Sequence, residues 1–265
     1  MAPIRSSGSI DSHCHLQYLD TDDCQRALDT AREAGVSGFL VPAITLRDSD
    51  GLLELCEREA DVWCALGVHP HEAVTWESGD KERLLGLLKE PRVVAVGECG
   101  LDFHYDRSPR DLQIAAMRAQ WEVALVAEMP VVIHNRDSSE VMLQLAAEPE
   151  FADLRGVFHS FAGGEQMANE LLARGFLLGI SGMVTFSGAD NVREVLPVAP
   201  RNSLLVETDT PYLAPVPYRG KPNRPAYVVE VVKRVAKETG LSAEEISDLT
   251  TRNFFNLFPK AASGG

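Results

Sequence analysis

The chain has 265 residues, which suits one large α/β domain with a substantial hydrophobic core. Its 25 basic and 39 acidic residues give a net charge of −14, which argues against a basic surface that coats duplex DNA without specificity. Five cysteines form no CxxC pair, no apolar run is long enough to span a bilayer, and residues 1–9 lack the apolar stretch of a secretory signal, so we expect a cytoplasmic protein with reduced thiols.

Eight short apolar runs predict strands that alternate with helices. The runs lie within residues 9–15, 38–43, 62–68, 93–98, 130–134, 156–159, 175–180 and 204–209. Such alternation favours βα units and a parallel sheet, and eight of them in a chain of this length predict a single (β/α)8 TIM barrel. A doubly wound open sheet is the alternative, but it would not gather five separated strand ends around one point. We expect one domain over residues 1–260 and a disordered tail at 261–265.

Several helix boundaries can also be predicted. Ser108 and Pro109 predict a helix start, with Ser108 as the N-cap and Pro109 at the first helical position. Residues 242–245 form a capping-box pattern that opens the last long helix, and Gly35 and Gly240 mark helix ends. The residues that we expect the helix after Pro109 to bury are Leu112, Ala115, Ala116, Ala119, Val123 and Val126.

Five of the predicted strands end in side chains that can bind a metal ion. These side chains are His13, His15, Glu98, His134, His159 and Asp209. In a (β/α)8 barrel the C-terminal ends of the strands meet at one mouth, where catalytic groups are found. Buried imidazoles and carboxylates are costly unless they are paired or share a cation. The sequence therefore predicts a metal centre at the mouth of the barrel.

The first strand places two imidazoles on the same face. Because side chains alternate along a strand, Asp11, His13 and His15 point one way, while Ser12 and Cys14 point the other way. This HxH pair offers two nitrogen atoms to one ion, and Cys14 faces the helix layer and is not a predicted ligand. A hydrogen-bonded pair of histidines is the alternative for the HxH pattern taken alone.

Sequence blocks around these residues resemble the signature motifs of the TatD family of metal-dependent deoxyribonucleases, within the amidohydrolase superfamily. The blocks are DSHCHL (11–16), GVHPH (67–71), GECGLDFHY (97–105), VIHNRDS (132–138), FHSFAGG (158–164), GISGMVTF (179–186), ETDTPYLAPVPYRGKPNRP (207–225) and NFFNLF (253–258). The resemblance implies a TIM barrel of the metal-dependent hydrolase type. Other branches of the superfamily often bridge their two metals with a carboxylated lysine, and Glu98 takes that place here.

The resemblance also implies a site for two divalent ions. One ion would be held by His13, His15, Glu98 and Asp209, and the other by His134, His159 and Glu98 as the bridging ligand. Glu98 and Asp209 would be the catalytic residues, with Asp209 orienting the attacking water as a general base. Two ions clamp the attacking and leaving oxygens of a phosphodiester. The donor set favours Zn, Mn, Ni or Fe over Mg, whereas family nucleases are described as dependent on Mg²⁺. We therefore expect two divalent ions that are Mg²⁺, Mn²⁺ or Zn²⁺.

Further residues are expected to support the site or bind substrate. The family places a phosphate-contacting histidine after the third strand. We assign this role to His69, and a purely structural role is the alternative for His71. Arg136 directly follows a predicted ligand and is a candidate for contact with the scissile phosphate. Glu207 is expected to hold a ligand in place. We expect Asp102 to be a structural cap, and a solvent-exposed histidine at position 104.

A basic segment follows the last predicted strand. Residues 210–229 contain no acidic side chain but carry Arg219, Lys221 and Arg224. In so acidic a chain, this local excess predicts contacts with a nucleic-acid backbone, and a solvated loop is the alternative. Tyr105 and Tyr212 are candidates to stack on a terminal base, with packing as the alternative.

Together these features predict a metal-dependent hydrolase that cleaves phosphodiester bonds of DNA, with RNA as the alternative nucleic acid. A deep site at a barrel mouth reaches a strand end more easily than the middle of a duplex, so exonuclease action on single-stranded ends is expected. We expect a monomer with no membrane contact. The alternative is an ester or amide hydrolase, such as an aminoacyl-RNA deacylase. A scaffold with purely structural metals is disfavoured, because structural zinc sites are closed and often rich in thiolates.

Overall fold

Eight parallel strands form one sheet, in the same order as they occur along the chain. The computed structural model describes residues 8–263, and its strands are β1 (Ser9–Asp11), β2 (Val36–Pro42), β3 (Val62–Leu66), β4 (Val93–Asp102), β5 (Val131–Arg136), β6 (Gly156–Phe158), β7 (Leu177–Ile180) and β8 (Leu204–Val206). The sheet curves back on itself, because the Ser12 amide donates to the Val206 carbonyl at 3.0 Å and Cys14 pairs with Thr210 in a parallel bridge. This confirms the predicted (β/α)8 barrel.

Helices connect the strands and cover the outside of the barrel. They are α1 (Thr21–Glu33), α2 (Ser49–Arg58), α3 (Asp80–Leu87), α4 (Arg110–Val126), α5 (Ser139–Ala146), α6 (Gly164–Ala173), α7 (Asp190–Arg193), α8 (Val228–Thr239), α9 (Ala243–Leu257) and α10 (Pro259–Ser263). Gly35 and Gly240 follow the ends of α1 and α8 with φ angles of 91° and 71°, as predicted for helix ends. Within residues 8–263, no helix combines the length and the apolar character needed to cross a membrane.

The N-terminal end of the barrel is closed by α9 and α10. The Phe254 ring of α9 lies with its centroid 5.5 Å from that of Trp63 on β3. The buried side chains that pack together at this end of the barrel include Ile10, Leu40, Trp63, Val94, Val132, Val157, Leu205, Phe254 and Phe258. The predicted capping box is present, since Ser242 Oγ accepts from the Glu245 amide and the Glu245 carboxylate accepts from the Ser242 amide. The mouth at the C-terminal ends of the strands is therefore the end left for a functional site.

The disordered tail predicted for residues 261–265 is wrong at its start. Residues 261–263 belong to α10, and Ala261 is buried against the core at the closed end of the barrel. Gly264 and Gly265 lie outside the described residues, as do residues 1–7 of the predicted domain.

The helix α4 begins later than predicted. Pro109 has φ −52° and ψ 137°, so Arg110 is the first helical residue. Ser108 does not cap the helix, because its hydroxyl donates to the His71 carbonyl at 2.8 Å. The pattern of serine followed by proline therefore located the helix but not its first residue.

The helix α4 also buries a different face from the one predicted. Ala116, Ala119 and Val123 are buried, whereas Leu112, Ala115 and Val126 are exposed. Gln113 and Gln120 complete the buried face because their side-chain amides donate to the carbonyls of Asp102 and Val68, each at 3.1 Å. Buried amides that are satisfied by backbone groups are stable in a core, and a count of apolar residues cannot detect them.

Candidate metal centre

Glu98 lies in an irregular stretch of β4 at the centre of the mouth. The pairing of β4 with β5 shifts register between Val96 and Cys99, and Glu98 lies within this bulge. Gly100 has φ 150°, and a Cβ atom there would lie 1.9 Å from the His134 carbonyl oxygen, so only glycine lets the two strands approach so closely. Bulges redirect side chains, and this one presents a Glu98 carboxylate that is buried in the barrel.

The predicted ligands surround the mouth, although two of them lie inside strands. β4 continues to Asp102 and β5 continues to Arg136, so Glu98 and His134 are not at the strand ends that the sequence predicted. His159 directly follows β6. The other three ligands lie in the loops just after β1 and β8, namely His13, His15 and Asp209.

One group of donor atoms faces the Oε2 atom of Glu98. His13 Nε2 and His15 Nε2 lie 3.3 Å and 3.7 Å from this oxygen, and 3.2 Å from each other. Asp209 Oδ1 lies 3.8 Å from His13 Nε2 and 3.5 Å from His15 Nε2. We call these atoms the first donor group.

A second group faces the other carboxylate oxygen of the same residue. His134 Nδ1 and His159 Nε2 lie 2.9 Å and 2.8 Å from Glu98 Oε1, and 3.2 Å from each other. His69 Nε2 lies 3.6 Å from the same oxygen. We call Glu98 Oε1, His134 Nδ1 and His159 Nε2 the second donor group, and His69 lies beside it. Glu98 thus presents one oxygen to each group, which is the arrangement of a bridging ligand.

The donor atoms fit divalent cations. Ligand bonds of about 2.0–2.2 Å separate neighbouring donors around one ion by roughly 3.0–3.5 Å, close to the spacings in both groups. Among the described residues, Glu98 Oε2 has no hydrogen-bond partner, although His13 Nε2 lies 3.3 Å away. A buried carboxylate oxygen without a partner is costly, and a cation between the facing donors would satisfy it.

Both predicted catalytic carboxylates are ionised at neutral pH. Burial opposes the charge of Glu98, but the nearby imidazoles of His159, His13 and His69 outweigh it and hold the pKa of Glu98 well below its usual value. Burial also opposes the charge of Asp209, but a hydrogen bond with His15 and the neighbouring imidazoles lower its pKa. The site therefore offers anionic oxygens to a cation.

Glu207 orients His159. Its Oε1 atom lies 3.3 Å from His159 Nδ1 and accepts the Ser160 amide at 2.7 Å. Gly179 leaves the necessary room, since a Cβ atom there would lie 2.3 Å from Glu207 Oε2. A carboxylate that holds one imidazole nitrogen leaves the other nitrogen free for a metal ion.

Asp102 has a larger role than the structural cap predicted from the sequence. Its Oδ1 atom accepts the amides of His104 and Tyr105, as a cap would. Its Oδ2 atom, however, accepts hydrogen bonds from His71 Nε2 at 2.9 Å and His134 Nε2 at 3.1 Å. With its proton on Nε2, His134 directs the lone pair of Nδ1 towards Glu98. Alternation along β4 places Asp102 on the face of Glu98, a signal that the sequence contained.

We expect Asp102→Asn to weaken metal binding at the second donor group by about 10- to 100-fold, as is usual for an outer carboxylate of a metal-binding histidine. The asparagine side chain has only one acceptor oxygen, so it cannot serve both the backbone amides and the two imidazoles. Calorimetric titration with Mn²⁺ measures the effect. Asp106→Asn is the matched control, because Asp106 is an exposed carboxylate of the same loop. Equal Mn²⁺ affinities for the Asp102 variant and the control would contradict this role.

The residues predicted to bind substrate lie at different depths. His69 is buried beside the second donor group, with its ring centroid 4.7 Å from that of His134. Arg136 is exposed on the rim, and its guanidinium lies 4.9 Å from the centroid of the Tyr105 ring. The side chain at position 104 is exposed, as expected, and pairs with Asp137.

The basic segment of residues 210–229 forms a loop after β8 and ends in the first turn of α8. A residue that the sequence did not single out fixes this basic loop close to Asp209. The buried side chain of Asn223 donates to the carbonyls of Thr208 and Tyr212, at 2.7 Å and 2.6 Å. Arg219 lies over the Phe186 ring at 3.8 Å from its centroid. The other two basic residues of the loop, Lys221 and Arg224, are exposed.

Comparisons with known proteins match most of this chain. Residues 10–259 match the family model described as TatD related DNase. The uncharacterized metal-dependent hydrolase YabD of Bacillus subtilis is 34% identical over 250 residues, which cover 94% of this chain and 98% of YabD. A protein of Escherichia fergusonii named 3'-5' ssDNA/RNA exonuclease TatD is 37% identical over 245 residues, with 90% and 93% coverage. The crystal structure of YJJV, a TatD homologue from Escherichia coli K12, has a TM-score of 0.88 at 30% identity and covers 95% of this chain and 98% of its own.

Proposed function

The chain belongs to the TatD family of metal-dependent hydrolases, and from that premise we propose that it is a two-metal nuclease acting on the ends of single-stranded nucleic acid. The proposed substrate is DNA, with RNA as the alternative. Relatives named as 3'-5' exonucleases support removal of nucleotides from the 3′ end. The proposed ions are Mg²⁺, Mn²⁺ or Zn²⁺. A monomeric state and a cytoplasmic location stay predictions.

The observation that carries this proposal is the position of Glu98 between the two donor groups. Each of its carboxylate oxygens faces a different set of imidazoles. Two bound divalent ions would lower the pKa of a water molecule and stabilise charge on the attacking and leaving oxygens of a phosphodiester. The carboxylates of Glu98 and Asp209 offset the positive charge brought into this buried site.

The residues of the chain supply the proton transfer and the positioning. Asp209 Oδ1 accepts the proton of the attacking water, since its lowered pKa keeps it ionised and its place beside His13 and His15 is next to the bridging carboxylate. His69 donates a hydrogen bond to a phosphate oxygen from inside the mouth. Burial holds the pKa of His69 well below its usual value, so it acts as a neutral donor.

The direct test is incubation of the metal-loaded protein with single-stranded oligonucleotides that are labelled at the 3′ or the 5′ end. We expect stepwise shortening from the 3′ end, and no shortening with His134→Ala, which removes a nitrogen of the second donor group. Absence of any product with Mg²⁺, Mn²⁺ and Zn²⁺ would reject the nuclease. Equal rates for His134→Ala and the wild type would reject the site.

We expect combined Arg219→Ala, Lys221→Ala and Arg224→Ala to weaken oligonucleotide binding and reduce its salt dependence. Each lost phosphate contact on a single strand lowers the slope of log affinity against log salt by about 0.7, so three contacts lower it by roughly 2. Fluorescence anisotropy at several KCl concentrations measures this slope. The matched control replaces exposed basic residues of outer helices, Arg26, Lys233 and Lys237. An unchanged slope would show that the loop does not contact phosphates, and would favour an ester or amide hydrolase that acts on an uncharged substrate.

A further inference from the structure

Three of the five tyrosines are half-exposed on the rim of the mouth. Tyr18 is 49% exposed and Tyr212 is 54% exposed, and they follow β1 and β8. Tyr105 is 51% exposed and follows β4. Strands β8 and β1 are neighbours, and they lie across an eight-stranded barrel from β4 and β5. The other two tyrosines, Tyr218 and Tyr227, stack on each other at 3.8 Å. Tyr18 and Tyr212 thus stand on one side of the donor groups, and Tyr105 stands on the opposite side.

On the first side, Tyr18 and Tyr212 form a corner of two aromatic faces, which we call the tyrosine corner. Their ring centroids are 6.3 Å apart and the ring planes meet at 76°. Both rings adjoin the first donor group, with centroids 5.4 Å and 6.4 Å from that of His15. A flat ligand that stacks on one of these rings meets the edge of the other.

On the opposite side, Tyr105 is accompanied by two cations, and we call this surface the Tyr105 platform. The guanidinium groups of Arg136 and Arg107 lie 4.9 Å and 5.6 Å from the centroid of the Tyr105 ring. The ring also contacts His71, at 5.6 Å between centroids, and His71 reaches the second donor group through Asp102. The platform thus combines an aromatic face with positive charge beside the site.

Flat aromatic surfaces with cations beside them suit unpaired nucleobases. Bases of a single strand stack on tyrosine rings and guanidinium planes, whereas the bases of a duplex already stack on one another. The positive charge at the Tyr105 platform also attracts a phosphate backbone in a chain whose net charge is −14.

We propose that the terminal and the penultimate base stack on opposite sides of the site, one on the tyrosine corner and the other on the Tyr105 platform. The scissile phosphate between them then lies over Glu98. This inference rests on the proposed nuclease activity and specifies its substrate as an unpaired strand that carries a base on each side of the cleaved bond. Tyr18, Tyr105 and Tyr212 become residues that determine specificity.

The test compares three oligonucleotides of one length: a natural one, one with an abasic residue at the terminal position and one with an abasic residue at the penultimate position. Stacking on an aromatic side chain is worth enough to predict a loss in kcat/KM of roughly 5- to 150-fold for each missing base. We expect Tyr105→Ala to become insensitive to one abasic position. The double variant Tyr18→Ala and Tyr212→Ala should become insensitive to the other position.

The controls separate stacking from loss of structure. Replacement of the tyrosines by phenylalanine should preserve the discrimination, because the ring remains. Val126→Ala removes an exposed apolar side chain from the outer face of α4 and should also preserve it. Metal content and thermal unfolding show whether each variant keeps its centre and its fold.

Equal cleavage of the three oligonucleotides by the wild type would overturn the inference and leave the nuclease intact. Full discrimination at both positions in the alanine variants would do the same. Failure of the wild type to cleave even the natural oligonucleotide would reject the proposed function, and the inference with it.

Discussion

Glu98→Gln is expected to lower kcat/KM for a phosphodiester by about 10³-fold and to remove at least one bound ion. Glutamine keeps the volume of the side chain but replaces one carboxylate oxygen with an amide nitrogen that cannot bind a cation. One of the two donor groups therefore loses its bridging oxygen. Metal ions contribute several kcal/mol of transition-state stabilisation, and each 1.36 kcal/mol corresponds to a tenfold change in rate.

Metal analysis and steady-state kinetics on the same preparation check this result. Glu122→Gln is the matched control, since Glu122 is an exposed glutamate of α4 that pairs with Lys81. Circular dichroism shows whether the Glu98 variant is folded. Two ions per chain together with the wild-type rate in Glu98→Gln would rule out the bridging role.

Asp209→Asn is expected to lower kcat by about 10²- to 10⁴-fold, the usual contribution of a general base. Asparagine keeps an oxygen that can face His13 and His15, so metal content should fall far less than the rate does. A parallel loss of metal and activity would show that Asp209 acts only as a ligand and not also as the base. The matched control is Asp190→Asn, at an exposed position on α7.

The large elements of the fold could be predicted because their signals are repeated. Eight apolar runs alternate with helices, and only a closed barrel gathers the ends of so many separated strands. Period-two alternation then separated His13 and His15 from Cys14, whose side chain faces the Leu40 carbonyl of the neighbouring strand. These predictions depend on pattern alone, so local irregularity does not disturb them.

The missed features depend on contacts between distant segments. Gln113 and Gln120 are buried because backbone groups of β4 and the loop after β3 accept their hydrogen bonds, and nothing in their own helix indicates this. Asn223 holds the basic loop through two carbonyls that only the folded chain brings near. Tyr18 joins Tyr212 only because β1 and β8 close the barrel.

Glu98 has one feature that could be predicted from the sequence and one that could not. Its place at the mouth could be predicted from the apolar run before it. The bulge in which Glu98 lies could not, because it depends on how β4 pairs with β5 in the folded chain.

Anomalous diffraction from Mn²⁺-loaded crystals tests the central claim most directly, since it locates each ion without reference to activity. The account predicts two peaks about 3.5–4 Å apart, one on each side of the Glu98 carboxylate. One peak should lie among His13, His15 and Asp209, and the other between His134 and His159. A single peak at saturating Mn²⁺, or two peaks that do not share Glu98, would contradict the two-metal site.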